Sequence, residues 1–169
     1  MISKLIKLPV YVFVDVENTF YAQRTLGWKI SYEKLMKYLK RECGENVKCF
    51  AYSGVDEDNT KQKKFLDMLD IVGYIPRTKS VKKIKTKDGN IKWKSSLDIE
   101  MALEMTELVD KFNTAILFSG DSDFAIVLDK LKSKGKRVLV ISTRGRVAKE
   151  LLEKAKFIDL RKLKNEISQ

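Results

Sequence analysis

The sequence predicts an α/β protein, a three-layer α/β/α sandwich with a mainly parallel, doubly wound sheet. Short runs of apolar and β-branched residues, typical of buried strands, alternate along the chain with segments whose apolar residues recur at helical spacing. Strands that alternate with helices are typical of a parallel sheet covered by helices on both faces. The length of 169 residues suits a single domain with a full hydrophobic core, so we expect one domain over residues 1–169.

The first half of the chain is predicted to contain three strands and three helices. The run VYVFV is continuously apolar, as expected for a strand that is buried on both faces. Ser31 is a favourable helix N-cap, and Gly44 follows the apolar periodicity that begins after it. The predicted strands are Val10 to Val14, Val47 to Tyr52 and Tyr74 to Pro76. One predicted helix begins at Thr19, and the other two span Tyr32 to Arg41 and Asp58 to Ile71.

The second half continues the same alternation. Ser95 and Asp98 have the spacing of a capping box at the start of a long helix. The predicted helices are Leu97 to Phe112, Phe124 to Lys132 and Val147 to Lys154, and the predicted strands are Thr114 to Phe118, Arg137 to Ile141 and Phe157 to Leu160.

One segment, residues 81–94, breaks the alternation and is predicted to be an inserted β-hairpin. Asp88-Gly89 favours a two-residue turn, which would place Ile84 opposite Trp93. Because side chains alternate along a strand, this register would collect five lysines on one face, where they would bind a nucleic-acid backbone. These lysines are Lys83, Lys85, Lys87, Lys92 and Lys94. The alternative is a solvated flap with no ligand.

The charge balance and the absence of histidine limit the function. The chain has 34 Lys and Arg against 23 Asp and Glu, a formal net charge of +11, which favours a polyanionic partner. It has no histidine, which excludes Ser-His-Asp and Cys-His catalysis and histidine metal ligands. Two cysteines and the lack of a long apolar run predict free thiols, a cytoplasmic location and no membrane partner.

Four carboxylates are predicted to meet at one edge of the sheet. Asp15 ends the first strand, and Asp121 and Asp123 follow the strand Thr114 to Phe118. Asp98 lies in the first turn of a helix that runs antiparallel to the strands, so it reaches the same edge. A strand order of 3-2-1-4-5 would make the two strands neighbours and would bring these acids together.

Such a cluster predicts a divalent metal site. Carboxylates that lie within a few ångströms repel one another, and Mg²⁺ or Mn²⁺ relieves the repulsion with hard oxygen ligands. The ion also activates water for phosphodiester hydrolysis, which removes the need for an imidazole base. The acids have structural alternatives as well: Asp98 in the capping box, and Asp121 or Asp123 as the cap of the following helix. Asn18 either caps a helix or orients a carboxylate, a water or a phosphate.

Other side chains are candidates for nucleic-acid contact. Arg144 and Arg146 flank Gly145 at the predicted helix start near Val147, where they would hold a phosphate. Three aromatic residues could stack on unpaired bases: Tyr21, Trp28 and Trp93.

The strings VFVDVEN and SGDSDF, with the acid Asp98 before a long helix, resemble the NYN domain family, which is related to the PIN and 5′-flap nucleases. The resemblance extends from about Val10 to Leu160. It implies a PIN-like fold and metal-dependent RNA cleavage, with four aspartates as metal ligands and Asn18 as the accompanying polar residue. The four are Asp15, Asp98, Asp121 and Asp123. The chain departs from the family pattern at Ser95, where a basic residue is common, and at Lys156, where an acid is common.

The resulting hypothesis is a Mg²⁺- or Mn²⁺-dependent ribonuclease that prefers single-stranded RNA. DNA is not excluded, and a homodimer is compatible with the sequence. One alternative is an RNA-binding module that keeps the fold without catalysis. The other is a phosphatase of the haloacid-dehalogenase type. In that interpretation Asp15 would be the nucleophile, Thr19 the accompanying threonine and Gly120-Asp121 the metal motif, although the second acid would be Glu17.

Overall fold

The computed structural model describes residues 1–85, 91–94 and 96–169, and only the backbone of 82–85 and 91–94. Six strands form one all-parallel sheet, and two short strands form a separate antiparallel pair. The strands are β1 Val10–Asp15, β2 Lys48–Val55, β3 Ile75–Ser80, β4 Lys82–Lys85, β5 Ile91–Lys94, β6 Thr114–Phe118, β7 Arg137–Ser142 and β8 Lys156–Asp159.

The order of the large sheet is β3-β2-β1-β6-β7-β8. Strand β1 therefore lies in the middle, between β2 and β6, and Val14 is paired with Ala51 on one side and with Phe118 on the other. The strand order reverses beside β1, and this is the doubly wound arrangement that the sequence predicts. Ligands of such sheets bind at the carboxyl ends of the strands, near this reversal.

Helices cover both faces of the sheet. They are α1 Val16–Leu26, α2 Tyr32–Cys43, α3 Thr60–Val72, α4 Asp98–Glu107, α5 Ala125–Ser133, α6 Lys149–Lys154 and α7 Lys164–Ile167. Short 3₁₀ turns occur at Ile2–Leu5, Val109–Lys111, Ser122–Phe124 and Leu160–Leu163. Ser31 caps α2 by accepting a hydrogen bond from the Lys34 amide, as predicted.

Several predicted helix starts differ from those of the structure by one to three residues. Helix α1 begins at Val16 with Asp15 as its cap, so Asn18 lies inside the helix instead of preceding it. Helix α4 begins directly at Asp98 after Leu97, so Asp98 is not the third residue of a capping box, and Ser95 lies outside the described residues. Helix α6 begins at Lys149 instead of Val147 and is only six residues long.

The core has two parts, one on each face of the sheet. Val12 and Val14 of β1 pack with the side that carries α1, α2, α3 and α7. Phe13 points to the other face, where it stacks on Phe50 beneath α4, α5 and α6. Strand β1 is thus buried on both faces, which explains its uninterrupted apolar sequence. Within the described residues, no helix is long and apolar enough to cross a membrane.

The inserted hairpin exists, but its predicted register is wrong. Lys83 is paired with Trp93, and Ile84 with Lys92, a shift of one residue from the prediction. Because the side-chain period of a strand is two, this shift divides the lysine positions between the two faces of the ladder. The pairing of Lys85 with Ile91 leaves an odd number of residues between them, which does not fit a two-residue turn centred on Asp88-Gly89. Thr86, Lys87 and this turn lie outside the described residues.

Candidate metal centre at the carboxyl edge of the sheet

Three aspartates form a cluster at the carboxyl edge of the sheet. Asp98, Asp121 and Asp123 each offer a carboxylate oxygen, and these oxygens all lie within 4.8 Å of one another. Asp98 is the first residue of α4, and Asp121 caps the 3₁₀ turn after β6 by accepting from the Asp123 amide at 3.0 Å. Asp121 thus caps this 3₁₀ turn and not helix α5 as predicted, since α5 begins after Phe124 without a side-chain cap.

The fourth predicted acid, Asp15, lies in the same cleft but outside this group. Asp15, Asn18, Asp98 and Asp121 line a cavity of about 180 Å³. The carboxylate of Asp15 already accepts two hydrogen bonds, from the Asn18 amide at 3.0 Å and from the Ser119 hydroxyl at 3.1 Å. The structure thus brings Asp98, Asp121 and Asp123 to ligand distance and places Asp15 beside them.

The electrostatics of the cleft disfavour an ionised Asp15. Burial raises the pKa of Asp15 to about 6, and the nearby charges of Asp98 and Glu17 add to the rise. The hydrogen bonds from Asn18 and Ser119 act in the opposite direction but do not cancel it. Asp15 therefore holds its proton more tightly than a free aspartate, mainly because it is buried, and a cation in the cleft would favour its ionised form.

Asn18 joins the two segments that supply the acids. Its side-chain oxygen accepts a hydrogen bond from the Gly120 amide at 3.0 Å, next to Asp121. Ser119 makes a second link across the same junction, because its hydroxyl donates to Asp15. Asn18 thus positions the loop that carries Asp121 and Asp123 through a backbone amide, whereas the sequence predicted contact with a carboxylate, a water or a phosphate.

Gly120 is required by close packing. A Cβ at this position would lie 1.9 Å from the backbone oxygen of Arg146, so only glycine fits. Arg146 in turn donates from Nε to the Thr25 hydroxyl at 2.7 Å, which ties its loop to α1. Arg144 is exposed, and its backbone amide donates to Asp159. Both arginines thus lie at the predicted edge, next to the loop of Asp121.

A second network fixes helix α4 to the sheet. Arg77 of β3 donates to Glu104 from Nε, at 3.0 Å to both carboxylate oxygens, and from Nη2 at 2.7 Å. The Tyr52 hydroxyl donates to the same carboxylate at 2.7 Å. Burial would raise the pKa of Glu104, but these hydrogen bonds outweigh it and hold the pKa below its usual value. Glu104 lies on the helix that begins with Asp98, so the network determines where that acid stands.

The donor set fits a hard divalent cation. Carboxylate oxygens are the ligands that Mg²⁺ and Mn²⁺ prefer, and a site with few protein ligands leaves positions for water and phosphate oxygens. Among the described residues, the acids of the cluster come from two segments, the loop after β6 and the start of α4. A third segment, the end of β1, lies beside them in the cleft. Such an arrangement can bind a metal and present it to a phosphate in the cleft.

Comparisons with known proteins give the family and the fold of the chain. A family model described as NYN domain matches residues 9–161. The chain belongs to the NYN domain family. Over 162 residues it is 32% identical to the low amplitude and bright protein LabA of Synechococcus elongatus, covering 94% of this chain and 87% of that protein. A crystal structure of a protein of unknown function from Vibrio parahaemolyticus is similar in fold, with a TM-score of 0.75, 22% identity and 95% coverage of both chains. The chain thus has the PIN-like fold expected from the resemblance.

Sequence reasoning located the acids but missed the residues that hold them. Ser119, Gly120, Tyr52 and Glu104 each act through a partner that is distant in the chain. Ser119 and Gly120 stand inside the SGDSDF string, which was the available signal, whereas nothing in the sequence indicates the link between Tyr52 and Glu104.

Proposed function

We propose that this NYN domain is a metal-dependent ribonuclease that hydrolyses phosphodiester bonds of single-stranded RNA. The observation that supports the proposal is the cluster of Asp98, Asp121 and Asp123, with ligand oxygens within 4.8 Å, at the edge where parallel sheets bind ligands. In this proposal Mg²⁺ or Mn²⁺ is held by these three side chains, and Asp15 adds negative charge from the same cleft.

Each residue of the site then has a distinct task. When bound, the cation polarises the phosphoryl oxygen and activates water for attack. Asn18 and Ser119 hold the loop of Asp121 against β1, and Glu104 holds the helix of Asp98 against β2 and β3. Basic side chains around the cleft, including Arg144, Arg146 and the hairpin lysines, would bind the RNA backbone outside the acid cluster.

The chemistry of the site does not favour the phosphatase alternative. Thr19 is only 3% exposed and does not line the cleft, so it is not placed to contact a phosphate there. The side chain of Glu17 accepts a hydrogen bond from the Gly54 amide at 3.3 Å.

The buried thiols of Cys43 and Cys49 suit a reducing compartment, which fits a cytoplasmic enzyme.

The test is an RNA cleavage assay with Mn²⁺ or Mg²⁺ and with a chelator. We expect the wild type to cleave single-stranded RNA only with the metal, and Asp121→Asn and Asp98→Asn to lower the rate at least about a hundredfold by removing a ligand. Asp110→Asn is the matched control, since Asp110 is exposed and follows the other end of α4.

Two results would contradict the proposal. Equal cleavage by the wild type and Asp121→Asn would identify a contaminating nuclease. Salt-dependent RNA binding without metal-dependent cleavage would instead identify a binding module that keeps the fold.

A further inference from the structure

We propose that the groove beside the acid cluster binds unpaired nucleotides of the RNA, with bases stacked on Phe20 and Tyr21. This inference rests on the proposed function, because it gives the RNA a path away from the metal site. The groove has a volume of about 990 Å³ and lies between α1 on one side and α3 on the other. That volume is at the upper end of ordinary ligand sites, about 300–1,000 Å³.

The groove is continuous with the acid cleft. Glu17 and Tyr21 line both of them, so a strand whose phosphate lies at the acids would extend into the groove within a short distance. On α1, residues 20 and 21 each lie three or four positions from both 17 and 24, and all four line the same groove. A chain leaving the cleft would therefore meet Tyr21, Phe20 and Arg24 in succession.

Two exposed aromatic rings stand on this path. Phe20 is 54% exposed and Tyr21 is 48% exposed, whereas every other phenylalanine and tyrosine among the described residues is buried or partly buried. The Phe20 and Tyr21 rings meet edge to face at 5.9 Å, and the Arg24 guanidinium lies 5.3 Å from the Tyr21 ring and 5.6 Å from the Phe20 ring. Planar rings beside a guanidinium are the surfaces on which unpaired bases stack, independently of sequence.

The charges of the groove suit a polyanion better than an apolar partner. Arg24, Lys29 and Lys61 line it, and each is exposed. Its two acids are Glu17, which accepts from the Gly54 amide, and Glu33, which forms an ion pair with Lys37 at 2.8 Å. The cations therefore face solvent along a groove whose acids have partners, on a chain of net charge +11.

The test measures RNA binding in a chelator, where the RNA is not cleaved. A fluorescein-labelled single-stranded RNA gives the affinity, and the same RNA with one 2-aminopurine base reports stacking through quenching of its fluorescence. We expect Phe20→Ala/Tyr21→Ala to weaken binding about tenfold or more and to abolish the quenching, while Phe20→Trp/Tyr21→Phe keeps both. Ile71→Ala, at another exposed apolar side chain outside the groove, should change neither.

The outcomes separate this inference from the proposed function. Binding and quenching that depend on Phe20 and Tyr21, without metal-dependent cleavage, would support the groove and overturn the nuclease. Cleavage that requires Asp121 but binding that is unchanged in Phe20→Ala/Tyr21→Ala would support the nuclease and overturn the groove. A wild type that is dimeric by light scattering and becomes monomeric in this variant, with RNA binding unchanged, would show that the groove is an interface between two copies and would also overturn it.

Discussion

Asp15 is the residue at which stability and the proposed function conflict. It ends the central strand and is largely buried beside other acids, so ionisation costs free energy in the folded state although its capping hydrogen bond offsets part of that cost. A raised pKa in the folded protein means that the native state keeps its proton while the unfolded chain has released it. The free energy of unfolding contributed by this group therefore falls as the pH rises from about 4 to about 6.

This fall in stability with rising pH gives a prediction for Asp15→Asn in the absence of divalent metal. Asparagine keeps the cap and can donate to Ser119, but it carries no charge. We expect the variant to be more stable than the wild type at pH 7, and this gain to exceed the gain at pH 4 by up to about 3 kcal/mol, since one pKa unit is about 1.4 kcal/mol. Urea unfolding at both pH values in a chelator measures it. The same difference at both pH values would show that burial does not raise the pKa of Asp15.

At the scale of elements, the network of Glu104 determines where α4 lies. Glu104→Ala would leave the buried Tyr52 hydroxyl and the Arg77 guanidinium without their shared acceptor. We expect a loss of about 2 kcal/mol in the free energy of unfolding and weaker Mn²⁺ binding, because Asp98 begins the same helix. Chemical denaturation and calorimetric titration of Mn²⁺ measure the two effects.

The matched control is Glu107→Ala, three residues further along the same helix and exposed, which should change stability by less than about 0.5 kcal/mol. Equal Mn²⁺ affinity in Glu104→Ala and the wild type would mean that the start of α4 is held by other contacts.

The elements also show how much the sequence could predict. β1 and β6 were recognisable because burial on both faces requires an unbroken apolar run. β2 continues past its predicted end at Tyr52 to Val55, because Ser53 and Gly54 are paired with Thr78 and Lys79 of β3. That pairing is a tertiary effect which no local pattern reports.

Helix starts and the hairpin register failed for a local reason. Asp15 and Asn18 are both good caps, and only the folded backbone decides that Asp15 accepts the hydrogen bond while Asn18 reaches Gly120. In the hairpin, the observed pairing is shifted by one position, which exchanges the faces of the side chains, and the Asp88-Gly89 signal alone did not predict that pairing. Strand order predicted that Asp15 and Asp121 share one edge of the sheet, and both line the same cleft, whereas only Asp98, Asp121 and Asp123 come to ligand distance.

At the scale of the whole molecule, the charge of +11 should make RNA binding strongly salt-dependent. The observed hairpin register refines this prediction, because positions 83 and 85 share one face of the ladder and positions 92 and 94 share the other. We compare Lys83→Ala/Lys85→Ala with Lys92→Ala/Lys94→Ala, two variants that each remove two charges. The variant on the face that contacts RNA should reduce the slope of log affinity against log salt by about 0.7 per lost contact, and the other should change it much less.

Filter binding across a series of salt concentrations measures the slopes. Equal reductions of the slope in the two variants would contradict contact through one face only. They would instead favour the single lysine face that the Asp88-Gly89 turn predicts.

The central position of β1 has a consequence for the nascent chain. During synthesis, Val10–Asp15 can pair with β2 early, but its other edge has no partner until residues 114–118 have left the ribosome. Until then an apolar strand edge is open to other chains, which is a known route to aggregation. Fragments that stop before β6 should therefore be far less soluble than the full chain, and the acids at the ends of β1 and β6 can meet only after most of the protein has been made.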